Sequence, residues 1–207
     1  MSSIRAHILM DASQWDFSQI LGKKRYITTL NVTNASTGIL YDFRNNPGTA
    51  LALFPSPALR DYFTFCRYNL VFELEVQSHF QHQGALIMNV FPYLASGVVM
   101  SHIGINPTIF SGASRQERTI APHDFITFGH DGNYKVVLPW TSNRNMLPTT
   151  RQSPSTLARS LNDYYLNHFQ VTVFDPLQAV ASAVGTSSIR IWARMEDISY
   201  SGYNPRY

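Results

Sequence analysis

The side chains of His79 and His82, in the string His79-Phe80-Gln81-His82, are the ones whose type best suits a metal site or a proton relay. A metal site must draw three or four His, Cys, Asp or Glu ligands to one point. Here the spacing is His-x-x-His, just before an expected strand, and no acidic residue follows until Glu117. On a strand, positions i and i+3 face opposite sides, so two such imidazoles converge only through a bulge. Both read as strand-end residues capping a polar turn. Cys66, the single cysteine, stands between Phe65 and Arg67 at an expected strand entrance. A buried small residue fits that context, whereas a nucleophilic thiol needs an electropositive, partly exposed one. Glu73 and Glu75 share one strand face and read as a solvated or interface edge, not as a general acid and base. There is no Gly-x-Ser-x-Gly elbow and no Gly-x-x-x-x-Gly-Lys phosphate loop. The sequence therefore names no catalytic, cofactor-binding or metal-binding residue, and no cofactor is expected.

The elements that would position these groups are strands. Tyr26, Thr28, Leu30 and Val32 alternate along a first one, which ends in the polar cluster Thr33 to Gly38. After the turn-rich Asn45-Asn46-Pro47-Gly48, Leu70, Phe72, Leu74 and Val76 face one way, while Val71, Glu73, Glu75 and Gln77 face the other. Leu86, Met88 and Val90 alternate with Ala85, Ile87 and Asn89 up to Pro92. Ile126 with Phe128, Tyr134 to Trp140, Phe169 to Val173 (ended by Asp175-Pro176) and Ile189 to Met195 give the rest. These are seven strands, with an eighth expected within Asn143 to Thr150. Ser56-Pro57 predicts a short helix over Ser56–Phe63, a capping serine before a proline at the first helical position. A second helix is expected over Ser155–Tyr165. Long connections, Ser96–Glu117 and Thr141–Leu161, are candidates for contacts, because ordered loops of that length tend to be functional. Seven or eight short antiparallel strands with long connections predict an all-β, two-sheet sandwich of Greek-key or jelly-roll type with one or two short helices.

Composition narrows the role. Two hundred and seven residues suit one large sandwich and bury a full core without staples. A single cysteine excludes a disulfide framework. Charged residues are 14% and aromatics 13%, against an ordinary charged share of about 25%. A weakly charged, aromatic surface suits burial between subunits. The net charge of +3 is scattered, Lys23-Lys24-Arg25 being the one run of three, which argues against a dedicated nucleic-acid binder. The first 25 residues lack a signal-peptide pattern, and no apolar run suits a membrane anchor. The chain is expected to be soluble and unsecreted. The tandem sequons Asn31-Val32-Thr33 and Asn34-Ala35-Ser36 then read as chance.

One ordered set of strings carries a resemblance. Leu70 to Pro92 runs from an alternating strand through a polar turn and the pair Gln83-Gly84 into a second strand closed by Pro92. Ala121-Pro122-His123-Asp124-Phe125-Ile126, then Tyr134 to Ser142 with Pro139-Trp140, then Phe169–Leu177 and Ile189–Tyr200 follow in order, with Glu196-Asp197 and Ser201-Gly202 in the tail. Across Tyr26 to Gly202 the sequence resembles picornavirus-like major capsid proteins (order Picornavirales). The resemblance implies an all-β, eight-stranded antiparallel jelly-roll capsid domain over residues 26–202, an extended N-terminal arm over 1–25 and a C-terminal tail over 203–207. Gln83, Gly84, Pro92, Pro139 and Trp140 become structural motif residues, with Gly84 expected to let the chain reverse between strands.

The resemblance further implies a structural protein of a small non-enveloped icosahedral positive-strand RNA virus, cut from a polyprotein and not an enzyme. Its partners would be two other capsid proteins of the same virus and symmetry copies of itself. Genomic RNA would be held weakly at the inner surface, and a host receptor is a further candidate. Its location would be the virion, with assembly in the host cytoplasm. The string around Pro139-Trp140 is similar to the subunit type at three-fold and quasi-six-fold positions, the ending after Met195 to a neighbouring type; both stay open. His123-Asp124-Phe125 lacks the paired carboxylates of the maturation-cleavage site in insect-infecting members, so that role is not carried over. Two alternatives remain: a jelly-roll binding module (lectin or trimeric ligand), marked by a signal peptide and disulfides, and a cupin-type metalloenzyme, marked by stoichiometric bound metal.

Overall fold

The structure, a computed structural model, describes residues 17–54, 62–92, 119–142, 144–149, 166–180 and 185–203. A short helix α1 (Phe17–Leu21) leads into β1 (Arg25–Thr33), β2 (Ile39–Asn45), α2 (Pro47–Ala52), β3 (Phe63–Gln77) and β4 (His82–Pro92). There follow β5 (His123–Thr127), β6 (Gly132–Leu138), β7 (Leu147–Pro148), β8 (Asn167–Ala179) and β9 (Thr186–Tyr203). One sheet has the order β1-β9-β3-β6, with β7 pairing β3; the other has the order β2-β8-β4-β5. Each pairing is antiparallel. This is the all-β, eight-stranded antiparallel jelly-roll sandwich that the capsid resemblance implies, one of the two topologies the alternation left open, with β7 as a two-residue addition.

Even-numbered residues of β3 point inward: Cys66, Tyr68, Leu70, Phe72, Leu74 and Val76 are all buried. Phe72 stacks on Phe169 of the opposite sheet at 5.1 Å and meets Phe43 edge-on at 5.2 Å, so β2, β3 and β8 share one aromatic centre. Offset and edge-to-face pairs of this kind add about 0.5–1.5 kcal/mol beyond the area they bury.

Several expectations are corrected. The strand expected within Asn143–Thr150 is present as the two-residue β7, and a further long strand that was not predicted, β2, completes the second sheet. Tyr41 and Phe43 point toward the core and Asp42 and Arg44 outward, a period-two pattern interrupted by Leu40, which also packs on the core. A Pro-opened helix that was not predicted is α2, capped by Asn46, whose side chain accepts from Thr49 N while the Thr49 hydroxyl takes the Asn46 N–H. Of the helix expected over Ser56–Phe63, residues 56–61 lie outside the described ones, Tyr62 is helical and Phe63 opens β3. The helix expected over Ser155–Tyr165 lies wholly outside them, as does the loop Ser96–Glu117. β8 does not stop at Asp175-Pro176 but bulges there and runs on to Ala179. Proline is tolerated because β2 pairs β8 only as far as Thr172, leaving that side of the strand without a ladder to break. The part of the N-terminal arm that is described is not extended: α1 buries Leu21 in the core.

Candidate functional site

The connections divide by length. At one end of the sandwich, residues 34–38, 78–81 and 128–131 join strands by short turns, and β8 ends near where β9 begins. At the other end β2, β4 and β6 finish and β3, β5 and β8 start, separated in sequence by 17, 30 and 28 residues (46–62, 93–122 and 139–166), beside the start of β1 and the end of β9.

At the short end, the β3–β4 reversal is made by Ser78 to Gln81, closed by His82 N–H donating to His79 O at 2.9 Å. Gly84 therefore does not make the turn. It sits inside β4 with φ +134°, where a Cβ would come within 2.8 Å of Pro176 O and 3.1 Å of Asp175 O. The glycine is needed for close backbone approach at the β4–β8 bulge, beside Gln83, which pairs Gln178. His82 is buried, and its Nδ1 meets Ser187 Oγ at 2.7 Å; Ser78 Oγ lies 3.0 Å from Ser187 Oγ and accepts Gly129 N–H at 3.1 Å. Asp131 Oδ1 accepts the Ser78 N–H at 3.0 Å. The His79 ring lies 5.7 Å from that of His82, and its Nδ1 accepts the Gln81 N–H. Each hydroxyl and imidazole here is engaged in closing turns, and among the described residues no group of three or more His, Cys, Asp or Glu could hold a metal.

At the long end, Pro139 and Trp140 leave β6 over a buried polar chain. Tyr68 OH donates to Asn45 Oδ1 at 3.0 Å, Asn45 Nδ2 to Asn167 Oδ1 at 2.9 Å, and Asn167 Nδ2 to Pro139 O at 2.7 Å. Asn69 works from the other side: its Oδ1 accepts Trp140 N–H at 2.9 Å and its Nδ2 donates to Asp197 Oδ2 at 2.8 Å. Asp197 has φ +52° at the bulge where β9 slips against β3. The Thr141 hydroxyl donates to Leu166 O and Leu166 N to Asn45 O, so the connection 141–166 is pinned where it leaves and where it returns. β4 ends at Pro92, opposite Asn167. Burial pushes the Cys66 thiol up to about 12 and Tyr68 OH well above its ordinary value. Cys66 is accordingly a protonated core residue at neutral pH.

A cleft of about 420 Å³ opens between the edge strands β5 and β6, floored by Met88, Val90 and Val136 and rimmed by Asp124, Lys135 and Thr141. On the outward face of the first sheet, Lys24 lies 3.0 Å from Glu73 and 2.7 Å from Glu75, and Arg194 bridges Glu73 and Glu196 at 3.4 and 2.7 Å. The Glu73 and Glu75 pair is thus neutralised by cations. The hydroxyl–imidazole pair of Ser187 and His82 is buried among the turn bonds.

The family model for picornavirus capsid proteins matches residues 18–161, which run from α1 through β7 and hold the five motif residues. This chain belongs to the picornavirus capsid protein family. As a capsid protein it has a structural role, assembles with other capsid subunits into a shell and resides in the virion. The match stops before β8 and β9, yet each of these is an interior strand of its sheet, and solved structures cover them. A chain of sacbrood virus of honeybee superposes with a TM-score of 0.70 at 15% identity, covering 93% of this capsid protein and 77% of that chain. A chain from Israeli acute paralysis virus gives 0.72 at 13% identity, covering 93% and 78%. One from the Triatoma virus empty capsid gives 0.67 at 14% identity, covering 92% and 96%. At such identities these likenesses speak for the fold alone. No curated protein matches the sequence.

Of the capsid protein's motif residues, the structure brings Pro139 and Trp140 together at the root of a long connection and places Gln83 and Gly84 near the opposite end. Sequence reading missed Asn45, Tyr68, Asn69 and Asn167. Their one available signal was polarity at inward or bulged strand positions, which alternation scores as noise.

Proposed function

We propose that this chain is one of three sister jelly-roll subunits of a picorna-like virus and serves as a rigid wedge, not as an enzyme. Its neighbours in the shell are two other capsid proteins of the same virus and copies of itself. The shell assembles in the host cytoplasm, contacts genomic RNA weakly at the inner surface and offers its outer loops to a host receptor. In this reading residues 26–202 form the capsid domain, flanked by arm and tail, and Gln83, Gly84, Pro92, Pro139 and Trp140 keep its shape. The observation that carries the proposal is the family match over a two-sheet fold whose strands are joined by short turns at one end and by long sequence intervals at the other. Rigid strands give each subunit a fixed outline, and long loops on fixed roots supply contacts that differ between neighbours. Electron microscopy and mass spectrometry of particles from the native source test it. Closed icosahedral shells holding this chain and two other capsid proteins in equal amounts are expected. A shell made of this chain alone, or a partnerless monomer in the source, would overturn it.

A further inference from the structure

The outward face of the first sheet is split in two. Toward the short end it carries the ladder of Lys24, Glu73, Glu75, Arg194, Glu196 and Lys135, in which each charge has an opposite within 4 Å. Beyond Asn69 and the Asp197 bulge it becomes aromatic. Phe63 pairs Tyr203 across β3 and β9, Phe65 sits between Ser201 on β9 and Pro148 on β7, and Tyr62 stacks on Tyr203 at 6.4 Å. Tyr62 is 41%, Phe65 42% and Tyr203 65% exposed, although each is a large ring. Adjacent rings exposed together mark an interaction site, since aromatic residues are enriched at interface centres and dominate their energetics.

We infer that this aromatic end of the sheet, centred on Phe65 and Tyr203, docks a capsid subunit of different sequence that presents an apolar centre and an acidic rim. The inference rests on the capsid reading above and names the surface that reading leaves open. Charge selects the occupant. The rim contains the exposed cations Arg67, next outward on β3 after Phe65, and Arg144. Arg67 lies over the Trp140 ring, whose Nε1 donates to the backbone O of Arg144, so both arginines are anchored at the same ring. Of the nearest described carboxylates, Asp197 is held by Asn69 and Glu196 by Arg194. A second copy of this chain, related by a two-fold axis through the patch, would set arginine against arginine. A polyanion tracking along the face would meet Glu73, Glu75 and Glu196 within the same sheet.

The test uses particles co-expressed from this chain and the other capsid proteins of its virus. A benzophenone photo-crosslinker is placed at Phe65 or at Tyr203, and the adducts are mapped by mass spectrometry. Crosslinks to another capsid protein, next to Asp or Glu residues, are expected. The double variant Phe65→Ser, Tyr203→Ser should lower particle yield at least tenfold while the isolated protomer keeps its unfolding temperature. Crosslinks to RNA or to this chain's own copies, or unchanged particle yield, would overturn the inference. If the wild-type chain enters no particle at all, the capsid reading fails instead, so the two failures are distinct.

Discussion

The two ends of the sandwich solve different problems with different residues. At the short end, the turns at 34–38, 78–81 and 128–131 leave little room, and backbone packs on backbone: Gly84 against Pro176 O and Gly129, with φ +100°, against His82 O, where a Cβ would come within 2.9 Å. At the long end, the strand ends from which the connections leave are tied by amide side chains, Asn45, Asn69 and Asn167, each bonding backbone or another side chain across the sequence. The first arrangement has no slack. The second tolerates varied loops as long as their roots hold.

The sharpest way to break this comparison is Gly84→Ala. The new methyl group meets two carbonyl oxygens of β8 in a backbone region that side chains rarely adopt. Strain and overpacking together predict a loss of about 3–4 kcal/mol. Urea unfolding of the protomer measures it. A loss under about 1 kcal/mol would mean that the bulge relaxes freely and the short end is no tighter than the long one.

Asn167→Ala probes the long end and should cost less, about 1–3 kcal/mol, because it strands Pro139 O and Asn45 Nδ2 without moving any strand. Its signature is local. Amide exchange at Trp140 and Thr141 should speed up well before the protein unfolds, whereas Gly84→Ala should raise exchange throughout both sheets. Uniform exchange in both variants would erase the distinction between the ends.

The difference also explains what could be read from the sequence. Strands whose two faces differ in polarity, β3 and β9 above all, announce themselves by alternation, and Leu70, Phe72, Leu74 and Val76 of β3 were legible one by one. β2 was not, because Leu40 packs on the core between Ile39 and Tyr41 and blurs the period, and polar turns flank it on both sides. Gly84 was legible as important but not in its role: a glycine after a polar string signals a turn as readily as a close approach. The asparagine roots were hidden for a stronger reason. Their partners lie up to 122 residues away in sequence, between Asn45 and Asn167, so no local pattern reports them.

Buried histidines offer a third, smaller contrast. His82 at the short end bonds to hydroxyls, whereas His168, on the β2–β8–β4 sheet, bonds to the Asp42 carboxylate, which also accepts from Gln170 Nε2 at 3.0 Å. Burial pushes the Asp42 pKa up, but bonds from His168 and Gln170 and the charges of His168 and Arg44 outweigh it, so the net shift is downward. A lowered carboxyl pKa means stability that is present above the ordinary aspartate range and lost as pH falls through the lowered value. Asp42→Asn should remove that part of the acid slope. With the Asp42 side chain 40% exposed, solvent screening keeps the effect under about 1 kcal/mol. Unfolding curves at neutral and acid pH compare the two; an unchanged slope would remove Asp42 from any account of acid stability.

The smallest effect belongs to Lys24, which joins the segment before β1 to Glu73 and Glu75 on β3. Its pKa is raised, chiefly by the bond to Glu75 and against some desolvation. Its contribution is therefore complete below the ordinary lysine pKa and fades as pH rises through the raised one. The pair is exposed enough that Lys24→Gln should cost only about 0.2–1 kcal/mol at low salt and nearly nothing at high salt. That salt dependence separates it from the other variants: the Gly84 clash and the Asn167 root are steric or uncharged, so their losses should persist in salt. A Lys24→Gln loss that survives high salt would show the ladder holding the fold itself, and the charged half of this sheet face would then belong with the rigid short end, not with the surfaces a neighbour can reshape.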